Sequence, residues 1–283
     1  MKGHAREFRL AAMCRVLRAH RSGYYAWLKS PLSERAKDDQ RLLGGIKQVW
    51  LESGGIYGHR KVTLELRDRG EDCSRHRVRR LMKGEGLRAM VGYRRKPKPR
   101  GGVVAQVARN ILARDFSPPM PNRAWVTDIT YIRTHAGWLF LAVVVDLFSR
   151  QVVGWAMRPT QHTDIVLQAL LAAVWRRKPS PGLILHSDQG SQFTSEEWQS
   201  FLKSHGIVCS MSRRGNCHDN AVAESFFQLL KRERIKRRIY VDHDEARADV
   251  FDYIEMFYNP KRRHTSAGNL SPVQFEKKFL SGS

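Results

Sequence analysis

The chain has 283 residues, of which 42% are hydrophobic and 10% aromatic, which excludes a disordered chain and a disulfide-stapled miniprotein and allows one large or two modest packed domains. It carries 50 Lys and Arg against 27 Asp and Glu, a formal net charge of +23. Such an excess favours a polyanionic partner, because bound phosphate offsets the repulsion among the cations, although a merely basic protein has the same composition.

The first third of the chain predicts short helices, the last of them basic. Apolar residues recur at helical spacing over 32–52 and 60–69, and Ser74 is a favourable N-cap for a third helix. That helix carries five basic residues, Arg75, His76, Arg77, Arg79 and Arg80. Short helices joined by glycine-containing turns indicate a helix-turn-helix-like unit in which Arg75 and Arg79 contact DNA. The alternative is a helical bundle with a solvated basic face.

A basic segment rich in proline and glycine follows these helices. Tyr93 to Gly102 contains two prolines, two glycines and five Lys or Arg residues, a composition typical of an extended linker because its charges repel and its prolines lack backbone donors. We therefore predict a helical, basic, helix-turn-helix-like DNA-binding region over residues 1–92, a linker over 93–117, and a core domain with a C-terminal helical tail over 118–283.

Beyond the predicted linker, the pattern changes to strands alternating with helices. Strands are predicted over residues 124–132, 138–145, 151–157, 182–186 and 207–211. Helices are predicted over 163–177, from Ser195 to about 205, and from Asp219 or Asn220 to about 237. Three consecutive strands followed by alternating helices and strands indicate an α/β fold, with a mixed sheet flanked by helices.

Three carboxylates stand out by their positions in these elements. Asp128 lies inside the first strand, where aspartate is unfavourable without a specific reason. Asp188 directly follows the fourth strand, at the edge of the sheet where sites gather. Glu224 lies in the last core helix and shares one side of it with Gln228 and Lys231, opposite an apolar side formed by Val222, Phe226, Leu229 and Leu230.

Each of these acids has a structural alternative: a buried hydrogen-bonded acid for Asp128, a turn residue for Asp188, and a solvated helix residue for Glu224. Taken together, three carboxylates from two strands and a helix are the oxygen ligands that Mg²⁺ prefers, with room left for substrate phosphates. Lys231, two helical turns after Glu224, is placed to hold such a phosphate.

Three motifs carry a resemblance to a known family. Residues 125–131 (WVTDITY), 186–193 (HSDQGSQF) and 215–227, with GNC followed by DNAVAESFF, closely resemble the second-reading-frame (OrfB-type) transposases of the insertion sequence three family. These are DDE transposases with a retroviral-integrase-like catalytic core. The 35 residues between Asp188 and Glu224 match the spacing that names the acidic triad of this family. Segments 14–17, 21–27, 55–60, 258–264 and 270–272 extend the resemblance over nearly the whole chain.

The resemblance implies a ribonuclease H-like mixed sheet flanked by helices, preceded by an all-α helix-turn-helix-like region. It implies Asp128, Asp188 and Glu224 as catalytic residues and metal ligands for Mg²⁺ or Mn²⁺, with two ions expected. The implied reaction is cleavage at the ends of the element, followed by attack of the freed 3′-hydroxyl on DNA. Arg213 and Arg214 precede the Glu224 helix and favour contact with DNA phosphate, or alternatively form a solvated basic loop.

The expected partners are double-stranded DNA, both element ends and target, and the upstream-frame product or its fused form. We also expect a homo-oligomer on DNA and no membrane partner. The four cysteines form no Cys-x-x-Cys pair, which favours a reducing bacterial cytoplasm, with association to the nucleoid when bound to DNA. Two alternatives stay open: a ribonuclease H-like nuclease or resolvase that only hydrolyses, and an inactive DNA-binding regulator.

Overall fold

The computed structural model describes residues 1–90, 108–213 and 217–282. The chain divides into two compact units, Met1–Ala89 and Met90–Ser283. Within the described ranges, every helix is too short or too polar to cross a lipid bilayer.

The first unit is all-α, as predicted. Its helices are α1 (Leu10–Val16), α2 (Arg21–Lys29), α3 (Glu34–Glu52), α4 (His59–Asp68) and α5 (Arg75–Gly84). The last three pack together, with buried apolar residues at helical spacing on each: Leu42, Ile46, Val49, Val62, Leu66, Val78 and Met82. The Oγ atoms of Ser33 and Ser74 accept the backbone N–H groups of Ala36 and Arg77, both at 3.2 Å, so serine caps begin α3 and α5.

The second unit is built on a five-stranded sheet with the order β3-β2-β1-β4-β5. Its strands are β1 (Ala124–Thr134), β2 (Gly137–Asp146), β3 (Val152–Arg158), β4 (Ile184–Ser187) and β5 (Val208–Met211). β1 to β3 are antiparallel neighbours, whereas β4 runs parallel to β1 and β5 parallel to β4. This confirms the predicted mixed sheet of an α/β fold.

Helices cover this sheet. They are α6 (Thr163–Arg177), α7 (Glu196–Ser204), α8 (Ala221–Glu233), α9 (His243–Phe251), which continues as a π-helical segment over Asp252–Tyr258, and α10 (Pro272–Ser281). Residues 141–146 of β2 are all buried, so both faces of this interior strand are covered, as a near-continuous apolar run predicts. One core joins α6 and α7 to the sheet through Trp125, Ala142, Val144 and Val153.

Helix α8 differs from its prediction in two ways. It ends at Glu233 rather than near Arg237, because Arg234 leaves helical geometry (φ −133°, ψ −68°) and Glu233 is buried. Its buried stripe runs through Ala223, Phe226, Phe227, Leu230 and Glu233, whereas the predicted Val222 and Leu229 are only half-buried. The apolar side is therefore rotated, and Glu224 and Lys231 lie half-buried on an edge of the helix.

The predicted domain boundaries at 92/93 and 117/118 stay predictions, because residues 91–107 lie outside the described part of the chain. Within the predicted linker, residues 108–117 are described. The backbone N–H groups of Ile111 and Leu112 donate to the Oγ of Ser210 in β5 at 3.0 and 3.1 Å, and Leu112 is buried. This stretch therefore packs beside the end of β5.

Candidate active site

The register of the sheet brings Asp128 and Asp188 to the same level. β1 and β4 are parallel, and Val126 pairs with His186. Asp128 and Asp188 each lie two residues further along their chains, and adjacent strands are about 4.8 Å apart. The pairing of β1 with β4 covers only Ala124–Val126, so Asp128 lies where β1 loses this neighbour and its edge opens. The sheet therefore brings the two acids side by side at the carboxyl end of β4.

The third acid comes from the first turn of α8, which packs against β1. The Nδ2 of Asn220, the residue before α8, donates to the backbone oxygen of Thr127 at 3.3 Å, which ties the start of this helix to the residue beside Asp128. The charges of Asp188, Glu224 and Lys231 all act on Asp128. The structure thus brings together all four residues that the sequence predicted at this site.

The pKa of the Asp128 carboxyl is raised to about 8, first by burial and then by the negative charges of Asp188 and Glu224, against the backbone N–H of Ile129 and the charge of Lys231. Desolvation also raises the pKa of Asp188, opposed by the N–H of Gly190 at 2.9 Å. For Lys231, burial and the charge of Lys236 lower the pKa, opposed by Asp128. The site therefore concentrates negative charge on a half-buried Asp128 and an exposed Asp188, an arrangement that a bound cation relieves.

The donor set fits a hard divalent cation. All three candidate ligands are carboxylates, which are the oxygen donors that Mg²⁺ and Mn²⁺ take. Within the described residues, however, no three His, Cys, Asp or Glu side chains form a closed ligand set. Asp188 and Glu224 therefore lie within electrostatic range of Asp128, without the three carboxylates forming a ligand set.

His186, beside Asp188, belongs to the scaffold of the site. Its ring is fully buried, with Nδ1 2.9 Å from the Oγ of Ser210 and Nε2 3.1 Å from the Oγ of Ser212. Desolvation lowers the pKa of this imidazole. Both ring nitrogens are occupied by serine hydroxyls, so His186 ties β4 to the end of β5 and holds the strand that leads into Asp188.

Asp219 is a buried acid whose role the sequence did not reveal. It was expected only as a possible cap of α8, but its carboxylate accepts from Asn110 Nδ2 at 3.1 Å and Arg114 Nε at 2.7 Å. It also accepts the backbone N–H of Arg213 at 2.9 Å and two guanidinium N–H groups of that residue, Nε and Nη2, both at 3.0 Å. The Arg213 hydrogen bonds hold the pKa of Asp219 well below its usual range, against burial. Asp219 thus joins three chain segments just before α8.

Glu233, at the other end of α8, is a second such anchor. Its carboxylate receives a two-point ion pair from Arg262, at 2.6 and 2.8 Å, and the hydroxyl of Tyr253 at 2.7 Å. Burial raises the pKa of Glu233, but the hydrogen bonds and charge of Arg262 outweigh burial and leave it below its ordinary value. Neither anchor is evident from the sequence, because Asn110 lies 109 residues from Asp219 and Arg262 lies 29 residues from Glu233 in the chain.

The predicted DNA contacts differ in their surroundings. The Arg213 guanidinium forms an ion pair with Asp219, although the Arg213 side chain is 59% exposed. Arg214 lies outside the described residues. On α5, Arg77 pairs with Asp38 and Asp39 of α3 at 2.7 and 2.6 Å.

Arg75 and Arg79 are exposed. Burial lowers the pKa of His59 at the start of α4, and the charges of Arg79, Arg60 and Arg75 lower it further. These cations therefore lie together on one surface of the first unit.

Comparisons with known proteins agree with this architecture. Integrase core domain models match residues 118–217 and 224–280, and an HTH-like domain model matches residues 37–97. The chain is 41% identical over 280 residues to the transposase InsF for insertion sequence IS3A of Escherichia coli K12, covering 98% of this chain and 97% of that protein. It is 38% identical over 267 residues to a 31 kDa protein of insertion element IS600 of Shigella sonnei, covering 94% and 98%.

Among solved structures, the simian T-cell lymphotropic virus intasome in complex with PP2A regulatory subunit B56 gamma matches with a TM-score of 0.46 and 16% identity, over 82% of this chain and 74% of that chain. The HTLV-2 integrase catalytic core domain in complex with magnesium, in its dimeric form, matches with a TM-score of 0.42 and 19% identity, over 56% and 98%. At these low scores, the sequence matches alone carry the family assignment.

Proposed function

The chain belongs to the InsF-type transposases of the IS3 insertion sequences, enzymes of the DDE transposase/integrase class with an integrase core, and on that premise we propose that Asp128, Asp188 and Glu224 are its catalytic residues and metal ligands. The observation that supports this is that strand register and the packing of α8 bring Asp188 and Glu224 close enough for their charges to act on Asp128. The proposed reaction is cleavage at the ends of the element, followed by transfer of the freed 3′-hydroxyl into DNA.

The metal in this proposal is Mg²⁺ or Mn²⁺, as two ions held by Asp128, Asp188 and Glu224. Bound there, the ions supply activation of the attacking oxygen and stabilisation of the leaving oxygen of a phosphodiester. The three carboxylates have to approach one another to hold them, and their mutual repulsion, which contributes to the raised pKa of Asp128, is then relieved by the cations.

The remaining contributions of the chain are positioning and charge. Lys231 lies within reach of the charge of Asp128, and its ammonium group is proposed to hold a phosphate of the strand being cut. Asn220, bound to Thr127, and Glu233, bound to Arg262, hold the two ends of α8. They thereby keep Glu224 and Lys231 at fixed positions on this helix relative to β1.

DNA is the proposed partner of both units. In the first unit, the exposed Arg75 and Arg79 of α5 contact the backbone of double-stranded DNA. In the second unit, Lys231 lies within reach of the charge of Asp128, and Arg213 and Arg214 complete this set of proposed contacts. Because two element ends have to be brought together, a homo-oligomer assembles on the DNA, at the nucleoid in the bacterial cytoplasm.

The upstream-frame product, or its fused form, is proposed as a further partner that helps to recognise element ends. Helix α2 supports this, because none of its side chains is buried although it carries Tyr25 and Trp27, which are 54% and 46% exposed. Exposed aromatic residues on a helix of this kind are typical of a surface that another chain covers.

The test is a joining assay with labelled element ends and a separate target duplex, with and without Mg²⁺, using the chain together with its upstream-frame product. We expect Mg²⁺-dependent joined products, which a nuclease that only hydrolyses does not form. Asp128→Asn, Asp188→Asn and Glu224→Gln should each abolish joining while DNA binding persists. Glu197→Gln, at an exposed acid on α7, is the matched control and should join normally. Joined products from any one of the three triad variants would refute the assignment, and DNA binding without any Mg²⁺-dependent cleavage would favour an inactive regulator.

A further inference from the structure

Two large aromatic side chains on the β1–β2 hairpin are about half exposed to solvent. Tyr131 is 49% exposed and Trp138 is 50% exposed. Their ring centroids are 5.2 Å apart with perpendicular planes. In the register of the hairpin, Tyr131 pairs with Phe140 and Arg133 with Trp138, so the two rings are diagonal neighbours on one face of the strands. Together they form an aromatic platform, defined here as the exposed rings of Tyr131 and Trp138.

The aromatic platform adjoins the carboxylate site. Tyr131 follows Asp128 by three residues on β1, so the two side chains leave opposite faces of the strand, and Lys231 of α8 is the side chain that links them. The Nζ of Lys231 lies 4.9 Å from the centroid of the Tyr131 ring, and the same ammonium interacts with the charge of Asp128. A single lysine therefore lies between the aromatic platform and the carboxylates.

Cations surround the platform. Arg133 is exposed and is the register partner of Trp138. Lys236 lies close enough for its charge to act on Lys231. Exposed aromatic rings interleaved with cations are the composition of surfaces that bind single-stranded nucleic acid, where bases stack on the rings and phosphates meet the cations. An apolar protein partner would instead desolvate these cations without compensating them.

We infer that Tyr131 and Trp138 stack an unpaired nucleobase of the DNA strand held at the catalytic site, while Lys231 and Arg133 contact the adjoining phosphates. The inference rests on the proposed function in one respect, that the strand lies beside Asp128. The base has to be unpaired, because within a duplex its faces are covered by neighbouring base pairs. Stacking on an aromatic face tolerates any base, so the platform holds a frayed or displaced nucleotide without reading its sequence.

The experiment measures binding without divalent ions, so that it does not depend on chemistry. The full chain is titrated into a short duplex that carries a single-stranded 3′ extension with 2-aminopurine, and into the same duplex with blunt ends. For the wild type, we expect tighter binding of the extended duplex and quenching of 2-aminopurine fluorescence. Tyr131→Ala should weaken binding of the extended duplex by about 5- to 150-fold, the effect of one lost base stack, and abolish the quenching, with blunt-duplex binding unchanged.

Two variants serve as controls. Tyr131→Phe keeps the ring and should keep both affinity and quenching. Trp175→Ala removes a more exposed tryptophan, at 75%, from the end of α6, and should change neither. Because Tyr131 also stabilises the hairpin, thermal unfolding is measured for each variant. Full affinity in both Tyr131→Ala and Trp138→Ala, or an equal loss on blunt and extended duplexes, would overturn the inference. The inference would also be overturned if the two alanine variants changed self-association of the protein and left DNA binding unchanged.

Failure of this inference is distinguishable from failure of the proposed function. Asp188→Asn should retain the quenching of 2-aminopurine while losing joined products. If Asp188→Asn still joins DNA, the catalytic assignment is wrong, whereas the binding data for the aromatic platform are unaffected. If Tyr131→Ala and Trp138→Ala both bind the extension as the wild type does, the inference about the platform is wrong whatever the joining assay shows.

Discussion

Replacing Arg262 by methionine should destabilise the second unit, because it leaves the carboxylate of Glu233 buried without its main counter-charge. Arg262 is 5% exposed and Glu233 is 1% exposed, and breaking one side of such a buried pair costs about 3–5 kcal/mol. The Tyr253 hydroxyl at 2.7 Å and Arg232 at 3.3 Å remain on Glu233. We therefore expect a loss near the lower limit, about 3 kcal/mol in the free energy of unfolding.

The effect should depend on pH with a defined sign. In the wild type the pKa of Glu233 is lowered from 4.5, so its contribution to stability is present above pH 4.5 and is lost as pH falls through the lower, folded-state value. In Arg262→Met, burial without the guanidinium raises that pKa, and protonation then removes the unpaired charge. The difference in stability between the two proteins should thus be largest near neutral pH and narrow as the pH falls toward 4.5.

Urea unfolding followed by the fluorescence of Trp125 and Trp198, which are buried in the second unit, measures this loss. The matched control is Arg232→Met, the same substitution at an arginine that reaches the same carboxylate but is 39% exposed, which should cost about 0–1 kcal/mol. Replacing both Glu233 and Arg262 by methionine should recover part of the loss, since no buried charge remains. A cost for Arg262→Met below about 1 kcal/mol, or one that does not change with pH, would refute the reasoning. If Arg262→Met does not fold, Arg262→Lys tests the same pair with a smaller loss.

Three further substitutions test packing, capping and DNA contact. Gly154→Ala places a Cβ against the backbone of α6, 2.6 Å from the nitrogen of Ala173, and should lower stability by about 1–3 kcal/mol in urea unfolding; an unchanged midpoint would contradict this close packing. Ser74→Ala removes the N-cap of α5 and should cost about 1 kcal/mol, measurable as faster amide exchange in that helix. Arg79→Ala should reduce the slope of log affinity for DNA against log salt by about 1, whereas Arg77→Ala, at an arginine paired with α3, should chiefly lower stability. Equal slopes for wild type and Arg79→Ala would remove this residue from the interface.

Local patterns were sufficient to predict the architecture and the acids. Alternating strands and helices predicted the mixed sheet because side-chain periodicity is a local property of the chain. The triad was predicted from the positions of its acids, such as Asp128 inside a strand, and this assignment stays a prediction. The family spacing from Asp188 to Glu224 reinforced that choice. One predicted boundary was wrong. Helix α8 was predicted to continue past Glu233, because helical periodicity does not reveal that this residue is held in a buried ion pair.

Only the tertiary structure decided which charges are compensated and which side chains meet. On α5, five basic residues look alike in sequence, yet Arg77 and Arg80 are bound to acids of α3, while Arg75 and Arg79 lie exposed beside His59. The sequence by itself determined the fold class and predicted the three acids as candidates, because the fold class follows from periodicity and the candidates from residue type, position and family spacing. The contacts of Asp219 with Asn110 and of Glu233 with Arg262 join residues 109 and 29 positions apart, and such contacts exist only once the sheet and its helices have packed.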